Sequence, residues 1–270
     1  MKVIDIINLK GGVGKTISAV NIAYILAAKH GARVLLIDND KQGNASKFFG
    51  LHSYEHPGVA DVLTVKNYDV RRAVRPTRYD NLHILPANMN LLQADKEILL
   101  DMTKPQQTRL KKALQAMENT GQAYDYAVVD SAPDFNISVI NALVASDDVL
   151  IPIKIDKFSF DGLAQIWEQI EETREFNAKL RIAGCYITMY AKNNVNDQGL
   201  RYLKENINLQ NNINLQNNVS LPVFDTVIRK TVRVDESTFA GEPLSVYAPD
   251  CTAARDYEAL AEEYLALCRI

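Results

Sequence analysis

The amino-acid sequence predicts an α/β fold: a doubly wound, mainly parallel sheet with helices on both faces. Short runs rich in β-branched residues alternate along the chain with longer segments of helical periodicity, which is the pattern of this fold class. Most of the short runs are continuously apolar, as parallel strands are when helices cover both faces of their sheet. The predicted strands are Val3–Ile7, Arg33–Ile37, Leu82–Leu85, Tyr126–Val129, Val149–Ile153, Ile182–Thr188 and Val223–Ile228.

Helical segments fill the intervals between these runs. The first begins directly after a glycine-rich turn and is closed by Gly31, a residue that favours helix ends. No linker rich in Pro, Gly or Ser divides the chain, so we expect a single domain over residues 1–270. The predicted helices are Lys15–Lys29, Pro105–Asn119, Phe135–Ala145, Gly162–Phe176 and Thr252–Leu267.

One polar segment occurs twice in succession. Asn206–Asn211 reads NINLQN, and Asn212–Asn217 repeats it letter for letter. We interpret the repeat as a lengthened helix end or surface loop; a contact loop for a partner is the alternative.

Composition and charge exclude several classes of protein. Hydrophobic residues make up 47% of the 270 residues, which is enough apolar surface to exclude a disordered chain. The net charge of −3 excludes a globally basic nucleic-acid binder but leaves room for a local basic patch. Three scattered cysteines form no disulfide framework and indicate a reducing compartment. No signal peptide or run of about 18 apolar residues is present, so we expect a cytoplasmic protein.

A glycine-rich loop, Lys10–Thr16, joins the first predicted strand to the first helix. Glycines let the backbone curl so that successive N–H groups point at oxygen atoms, and the N-terminus of the following helix adds partial positive charge. Lys15 supplies a point charge to the outer phosphates of a nucleotide, and the hydroxyl of Thr16 suits Mg²⁺. The alternative is a glycine turn that only happens to carry a lysine, but the strand before it and the helix after it favour a phosphate site.

Carboxylates follow two other predicted strands. Asp38 and Asp40 come after the second strand, and Asp130 comes directly after Tyr126–Val129. Carboxylates at the carboxyl ends of parallel strands, beside a phosphate loop, are well placed to hold Mg²⁺ or to orient an attacking water. For Asp38 and Asp40 the alternative is capping of a helix over Ala45–Phe49.

Together these motifs resemble the ParA/MinD family of ATPases. The loop fits K-G-G-x-G-K-[ST], the deviant Walker A motif of that family, with Lys10 as its early lysine. Residues 38–44 resemble the first switch, usually D-x-D-P-Q-G-N, with Lys41 in place of Pro. Residues 130–133 resemble the Walker B aspartate and second switch, usually D-x-P-P, with Ala132 in place of Pro. The resemblance extends over nearly the whole chain and is strongest to ParA/Soj-type DNA partition ATPases that lack an N-terminal helix-turn-helix.

The resemblance implies a P-loop NTPase fold of the deviant Walker A class, ATP hydrolysis, and ATP and Mg²⁺ as cofactors. By the family pattern, Lys10 reaches across a dimer to the partner's nucleotide, Asp40 positions the attacking water and Asp38 supports the metal shell. The implied catalytic residues are Lys10, Lys15 and Asp40, and the implied metal site consists of Thr16, Asp38 and Asp130.

The base of the nucleotide is assigned by two further similar segments. Ile187–Tyr190 resembles a stretch near the adenine, and residues 227–233 resemble the family's V-I-P-R-N-V-R, without its Pro and with Lys230 in place of Asn. The implied ATP-binding residues are Lys10, Gly11, Gly12, Val13, Gly14, Lys15, Thr16, Ile17, Met189, Ile228 and Arg229.

The same resemblance implies partners: a homodimer in the ATP state, non-specific DNA and a ParB-like centromere-binding protein. For DNA contact we favour Arg229, Lys230 and Arg233, because basic residues near this stretch contribute in the family. Two other basic clusters, each interpretable as a solvated face, are Arg71, Arg72, Arg75 and Arg78, and Lys104, Arg109, Lys111 and Lys112.

Two other functions remain open. A MinD-like positioning ATPase would need a membrane-binding tail, whereas the last predicted helix carries Glu258, Glu262 and Glu263, so no membrane partner is expected. A metabolic P-loop enzyme would need a substrate site that the sequence does not reveal. We therefore expect a nucleoid-associated partition ATPase, whose cargo is a plasmid, a chromosome or a mobile element.

Overall fold

The computed structural model describes residues 1–121, 124–156, 161–206 and 221–268. Its strands are β1 (Lys2–Ile6), β2 (Val34–Asn39), β3 (Arg75–Pro76), β4 (Leu82–Leu85), β5 (Tyr126–Ser131), β6 (Asp148–Lys154), β7 (Arg181–Tyr190) and β8 (Val223–Arg229). Its helices are α1 (Lys15–Ala28), α2 (Asn44–Phe48), α3 (Val59–Thr64), α4 (Asn90–Leu100), α5 (Arg109–Glu118), α6 (Ile137–Ala145), α7 (Asp161–Thr173), α8 (Asn194–Asn206), α9 (Val232–Ala240), α10 (Leu244–Tyr247) and α11 (Thr252–Cys268), with a short 3₁₀ helix at Val70–Arg72.

The strands form one sheet of eight, in the order β3-β4-β2-β5-β1-β6-β7-β8. Neighbours pair in parallel throughout, except for the short edge strand β3, which is antiparallel to β4. Strand β5 lies between β1 and β2, so the carboxyl ends of these three strands meet at one edge of the sheet. The predicted doubly wound, mainly parallel fold is confirmed, and this edge is where such folds bind ligands.

Helices cover both faces of the sheet. On one face Ile4 and Ile6 of β1 share a buried core with Leu26 of α1 and Tyr257 of α11. On the other face, Val3 packs in a core with α3, α4, α5 and α6, and Ile7 lies in a third core that includes α7. Successive residues of a central strand therefore enter opposite apolar cores, which is why that strand reads as a continuous apolar run.

Two central strands run further than the sequence predicts. β2 continues through Asp38 and Asn39, and β5 continues through Asp130 and Ser131; Asp38 lies opposite Asp130 and Asn39 opposite Ser131 in the ladder. The prediction ended both strands at their last apolar residue. Backbone pairing continues past that point, so the polar residues that follow the apolar runs are held as parts of the two strands.

Other differences concern helix ends and elements without a strong pattern. The predicted helix over Pro105–Asn119 begins at Arg109, and the one over Phe135–Ala145 begins at Ile137, because the Asn136 side chain accepts a hydrogen bond from the Val139 N–H and caps the helix. The edge strand β3 and the helices α3, α4, α8, α9 and α10 were not predicted. The NINLQN repeat falls almost entirely on residues 207–217, outside the described residues. No helix in the described ranges is long and apolar enough to cross a membrane.

Candidate functional site

The predicted phosphate loop lies between the carboxyl end of β1 and the first turn of α1. Gly12 and Gly14 have φ angles of +71° and +88°, a region of backbone space that glycine enters without the cost a Cβ would impose. Gly14 is the N-cap residue of α1, and no side chain caps this end of the helix. The first-turn N–H groups are therefore left for an anionic ligand, as a phosphate site requires.

Lys15 lies inside this loop, only 8% exposed. Its ammonium donates a hydrogen bond to the backbone carbonyl of Lys10, 3.1 Å away. Burial lowers the pKa of Lys15, and the nearby carboxylates of Asp130, Asp40 and Asp134 act in the opposite direction. A buried ammonium beside the uncapped N-terminus of α1 is arranged to receive phosphate oxygens.

Asp38 and Asp130 are fully buried and lie side by side on β2 and β5. Asp38 Oδ2 accepts hydrogen bonds from the backbone N–H and the hydroxyl of Ser46, at 2.7 and 2.6 Å. Both Asp130 carboxylate oxygens lack a hydrogen-bond partner among the described residues.

Burial raises the pKa of both carboxyls, that of Asp38 to about 7 and that of Asp130 well above its ordinary value, where the charge of Asp38 adds to the effect. The Thr16 hydroxyl is close enough to Asp130 to lower the pKa of that carboxyl in part. Two buried carboxyls and this hydroxyl suit a hard divalent cation such as Mg²⁺, because a cation would supply the partner that the Asp130 oxygens lack among the described residues.

Asp40 lies in the turn after β2, 8% exposed, close enough to Lys15 to influence its charge. Its Oδ1 accepts a hydrogen bond from the Gln42 N–H at 2.9 Å, which fixes the carboxylate within the turn. The structure thus brings together Lys15, Thr16, Asp38, Asp40 and Asp130.

Lys41, which replaces the usual proline, forms an ion pair that the sequence analysis missed. Its ammonium lies 2.9 Å from a carboxylate oxygen of Asp134, and this pairing raises the pKa of Lys41. The pair connects the loop after β2 with the loop after β5. In the sequence, the ion pair is indicated only by the lysine that replaces proline at position 41. That replacement does not show that Asp134 is the partner.

Lys10 does not join the carboxylates around Lys15. Its ammonium pairs with Asp156, two residues after the end of β6, and both side chains are about one-third exposed, at 36% and 34%. Sequence reasoning did not find Asp156, which lies 146 residues away along the chain.

A cavity of about 200 Å³ adjoins the loop. Met189, Ile228 and Arg229, the three predicted base-contacting residues, line it together with Gly14 and Ile17. Mostly apolar side chains around a slot next to a phosphate loop suit a flat nucleobase.

Arg229 and Arg233, two of the residues proposed for DNA contact, lie in different parts of the structure. The Arg229 guanidinium at the cavity wall forms a bidentate pair with Asp256 on α11, at 2.6 to 3.1 Å. Arg233, by contrast, lies on α9, is 53% exposed and pairs with Glu236 at 2.6 Å. Arg229 and Arg233 therefore have different surroundings and different partners.

One buried carboxyl near the site was not predicted. Asp5 lies in the middle of β1, fully buried, and neither of its oxygens has a hydrogen-bond partner among the described residues. Burial raises its pKa to about 7, with Ser131 beside it acting in the opposite direction. The signal was a single Asp within the apolar run of the first strand.

Comparison with known proteins gives a consistent result. A family model described as an AAA domain matches residues 1–182. The sporulation initiation inhibitor protein Soj of Bacillus subtilis is 35% identical, over 98% of this chain and 98% of that protein. The chromosome partitioning protein ParA of Caulobacter vibrioides is 34% identical, over 98% of this chain and 94% of that protein.

Among solved structures, cobyrinic acid a,c-diamide synthase from Mycobacterium smegmatis, with a bound ATP analog and magnesium, has the same fold. It superimposes with a TM-score of 0.80 at 24% identity, covering 100% of this chain and 96% of that one.

Proposed function

This chain belongs to the ParA/MinD family of ATPases, and from that premise we propose that it is a ParA-type partition ATPase for a plasmid or chromosome. ATP, with Mg²⁺, closes a homodimer that binds DNA without sequence preference, on the nucleoid in the cytoplasm. A ParB-like protein at a centromere site stimulates hydrolysis. Similarity to Soj and ParA over almost the full length of both chains is the observation that carries the proposal.

The arrangement around the phosphate loop supports ATP and Mg²⁺ as cofactors. The uncapped N-terminus of α1 and the buried ammonium of Lys15 would hold the phosphates, and the 200 Å³ cavity beside Met189 and Ile228 would hold the base. Asp130 and Thr16 would hold the metal, whose charge neutralises the phosphate oxygens when it is bound.

Hydrolysis needs a water aligned with the terminal phosphorus. Asp40 is the carboxylate we assign to orient that water, because its own turn fixes it beside Lys15. Asp38, anchored on Ser46 and opposite Asp130 in the ladder, supplies a second carboxyl that supports the metal shell. Attack by the water forms a new P–O bond and breaks the bond between the terminal phosphoryl group and ADP. One proton of the water stays on the phosphate, and the other is released to solvent.

Lys10 is assigned to the second subunit. Its ammonium lies outside the cluster around Lys15 and is held by a partly exposed carboxylate rather than in the loop. An exposed pair of this kind is weak, about 0–1 kcal/mol, so a partner's phosphates can displace Asp156 at small cost. Slow hydrolysis in the monomer follows, because a charge that stabilises the transition state arrives only on dimerisation.

The test is an Asp40→Ala variant. We expect it to bind ATP, to dimerise and to remain on DNA while hydrolysis stops, because the phosphate and base contacts are intact. Asp225→Ala removes an exposed aspartate of β8, 89% exposed, and serves as the matched control that hydrolyses ATP normally. Size-exclusion chromatography, phosphate release and pelleting with DNA give the three readouts.

Two results would contradict the proposal. Wild-type hydrolysis by Asp40→Ala would remove the assignment of Asp40. ATP-dependent pelleting with anionic liposomes, without any with DNA, would instead favour the MinD-like function. In α11 the apolar side chains of Tyr257, Leu260 and Tyr264 are buried in the core, so these three are not free for such a membrane contact.

A further inference from the structure

Two of the basic clusters that the proposed function leaves unused meet at one cleft. The cleft has a volume of about 780 Å³ and lies between α3, the loop and 3₁₀ helix that follow it, and α5. Arg71 belongs to the first cluster, and Lys104, Arg109 and Lys112 belong to the second, more than 30 residues later. We call this feature the α3–α5 cleft.

Apolar side chains form part of the wall of the α3–α5 cleft. Val62, Leu63, Val70 and Met117 line it, and each is at most 4% exposed, so these side chains are fixed parts of the core. Val65, also in the lining, is 51% exposed and lies at the rim. The volume falls within the range, about 300–1,000 Å³, in which proteins bind ligands.

Large apolar side chains continue beyond the rim. Leu100 and Met102, just before the lining residues Thr103 and Lys104 in the chain, are 81% and 87% exposed. Exposed side chains of this size cost free energy in water, about 25 cal/mol for each square ångström. Met102 directly precedes the lining residue Thr103, so an occupant that contacts Thr103 could also cover Met102.

The charge at the cleft is one-sided. Five basic residues line it against a single acidic residue, Asp69. Arg71 pairs with Asp69, and Arg109 pairs with Asp101. The three lysines of the lining, Lys66, Lys104 and Lys112, make no ion pair within the part of the chain that the structure describes. Their charge is thus available to an anionic occupant.

We propose that the α3–α5 cleft binds an acidic, amphipathic segment of a partner protein. Apolar side chains of the segment, spaced three or four residues apart on one helical face, enter the apolar cleft. Its carboxylates meet the three lysines at the rim. DNA fits less well, because a phosphate backbone offers charge but no side chains that could cover the apolar residues of the wall.

The test uses a fluorescein-labelled helical peptide of 14 residues, with Leu every three or four positions and Glu and Ala elsewhere. The comparison peptide carries Lys in place of every Glu. In a fluorescence anisotropy titration of the full chain, without nucleotide or DNA, we expect the acidic peptide to bind at least about tenfold more tightly. Its affinity should fall as salt is raised from low to physiological concentration.

Two variants locate the binding site. Lys104→Glu combined with Lys112→Glu should weaken the acidic peptide at least about tenfold, and Val65→Ser should weaken it several-fold through the apolar contact. The matched control, Lys179→Glu with Lys192→Glu, makes the same change of charge at exposed positions elsewhere. ATP binding should stay normal in all three, which shows that they are folded.

Equal binding of the two peptides, or an unchanged affinity in the Lys104/Lys112 variant, would overturn the proposal. So would loss of DNA binding by that variant together with no binding of the acidic peptide, since that result assigns the cleft to DNA. The titration contains neither ATP nor DNA, so its outcome is independent of whether the chain is a partition ATPase.

Discussion

Two basic regions of this chain differ in how their charges are held. At the phosphate loop, Lys15 is 8% exposed and lies among buried carboxyls, of which Asp130 has no hydrogen-bond partner in the described residues. On α9, Arg233 is 53% exposed and already paired with Glu236, three residues along the same helix. The first arrangement is incomplete without phosphate and metal, whereas the second is stable by itself. Burial therefore distinguishes the Lys15 charge, which needs a ligand, from the exposed Arg233 charge, which can bind one but does not need it.

The largest effect is expected where the charge is most buried. Lys15→Ala should weaken ATP binding by at least about 100-fold, or roughly 2.7 kcal/mol, because a charge-assisted contact in a dry site is lost. Lys29→Ala, at the opposite end of α1, is the control. Isothermal titration with a non-hydrolysable ATP analogue measures both affinities, and equal values in the two variants would contradict the comparison.

Lys10→Ala should separate binding from assembly. We expect a nearly normal affinity for ATP in the monomer, because the Lys10 ammonium pairs with Asp156 and not with the cluster around Lys15. Dimerisation and hydrolysis should be lost. Size-exclusion chromatography with light scattering, in the Asp40→Ala background, gives the dimer fraction. If Lys10→Ala and Lys15→Ala lose ATP affinity equally, Lys10 acts within its own subunit.

The phosphate loop could be predicted from sequence because its geometry is local. Strand, glycines and helix follow one another within about 25 residues, and the backbone itself provides most of the site. Asp38 and Asp130 could be proposed for the same reason, because each directly follows a plain apolar run in the sequence.

The ion pairs that adjust the site could not be predicted. Lys41 and Asp134 are 93 residues apart, and Lys10 and Asp156 are 146 apart, so no local pattern connects them. Likewise, β2 and β5 each continue two residues beyond their apolar runs, through Asp38 and Asp130, because they pair with each other there and not because of their own residue types. The ion pairs and the strand lengths are both set by contacts between segments that are far apart in the sequence.

A middle-sized effect is expected at Lys41. Its pair with Asp134 joins the two loops that flank the metal site, and the two side chains are 28% and 39% exposed. A partly exposed pair contributes about 0.2–1 kcal/mol, so Lys41→Ala should change the ATPase rate up to about fivefold. The reversed pair, Lys41→Asp with Asp134→Lys, should restore part of it.

The exposed pair of Lys204 with Asp225 supplies the control for that measurement. Lys204→Ala should leave the ATPase rate unchanged. The steady-state rates of Lys41→Ala, Asp134→Ala and the variant that carries both changes form, with the wild type, a double-mutant cycle. Additive effects of Lys41→Ala and Asp134→Ala would show that the ion pair does not couple the loops.

The smallest effect is expected at Arg233, where the charge is most exposed. A net charge of −3 means that DNA affinity must come from a patch, and a dimer presents each patch twice. Arg233→Ala should weaken DNA binding of the ATP-trapped protein about threefold, since Glu236 already neutralises part of this charge, and should reduce the slope of log affinity against log salt by up to about two. Arg229 is left intact because it pairs with Asp256 beside the base cavity.

Glu236→Ala should act in the opposite direction and strengthen DNA binding, because it frees the Arg233 guanidinium for phosphate. A salt titration of all three proteins decides the matter: unchanged affinity and slope in Arg233→Ala would move the DNA contact away from α9, and weaker binding by Glu236→Ala would show that the pair itself, not the free charge, shapes the surface.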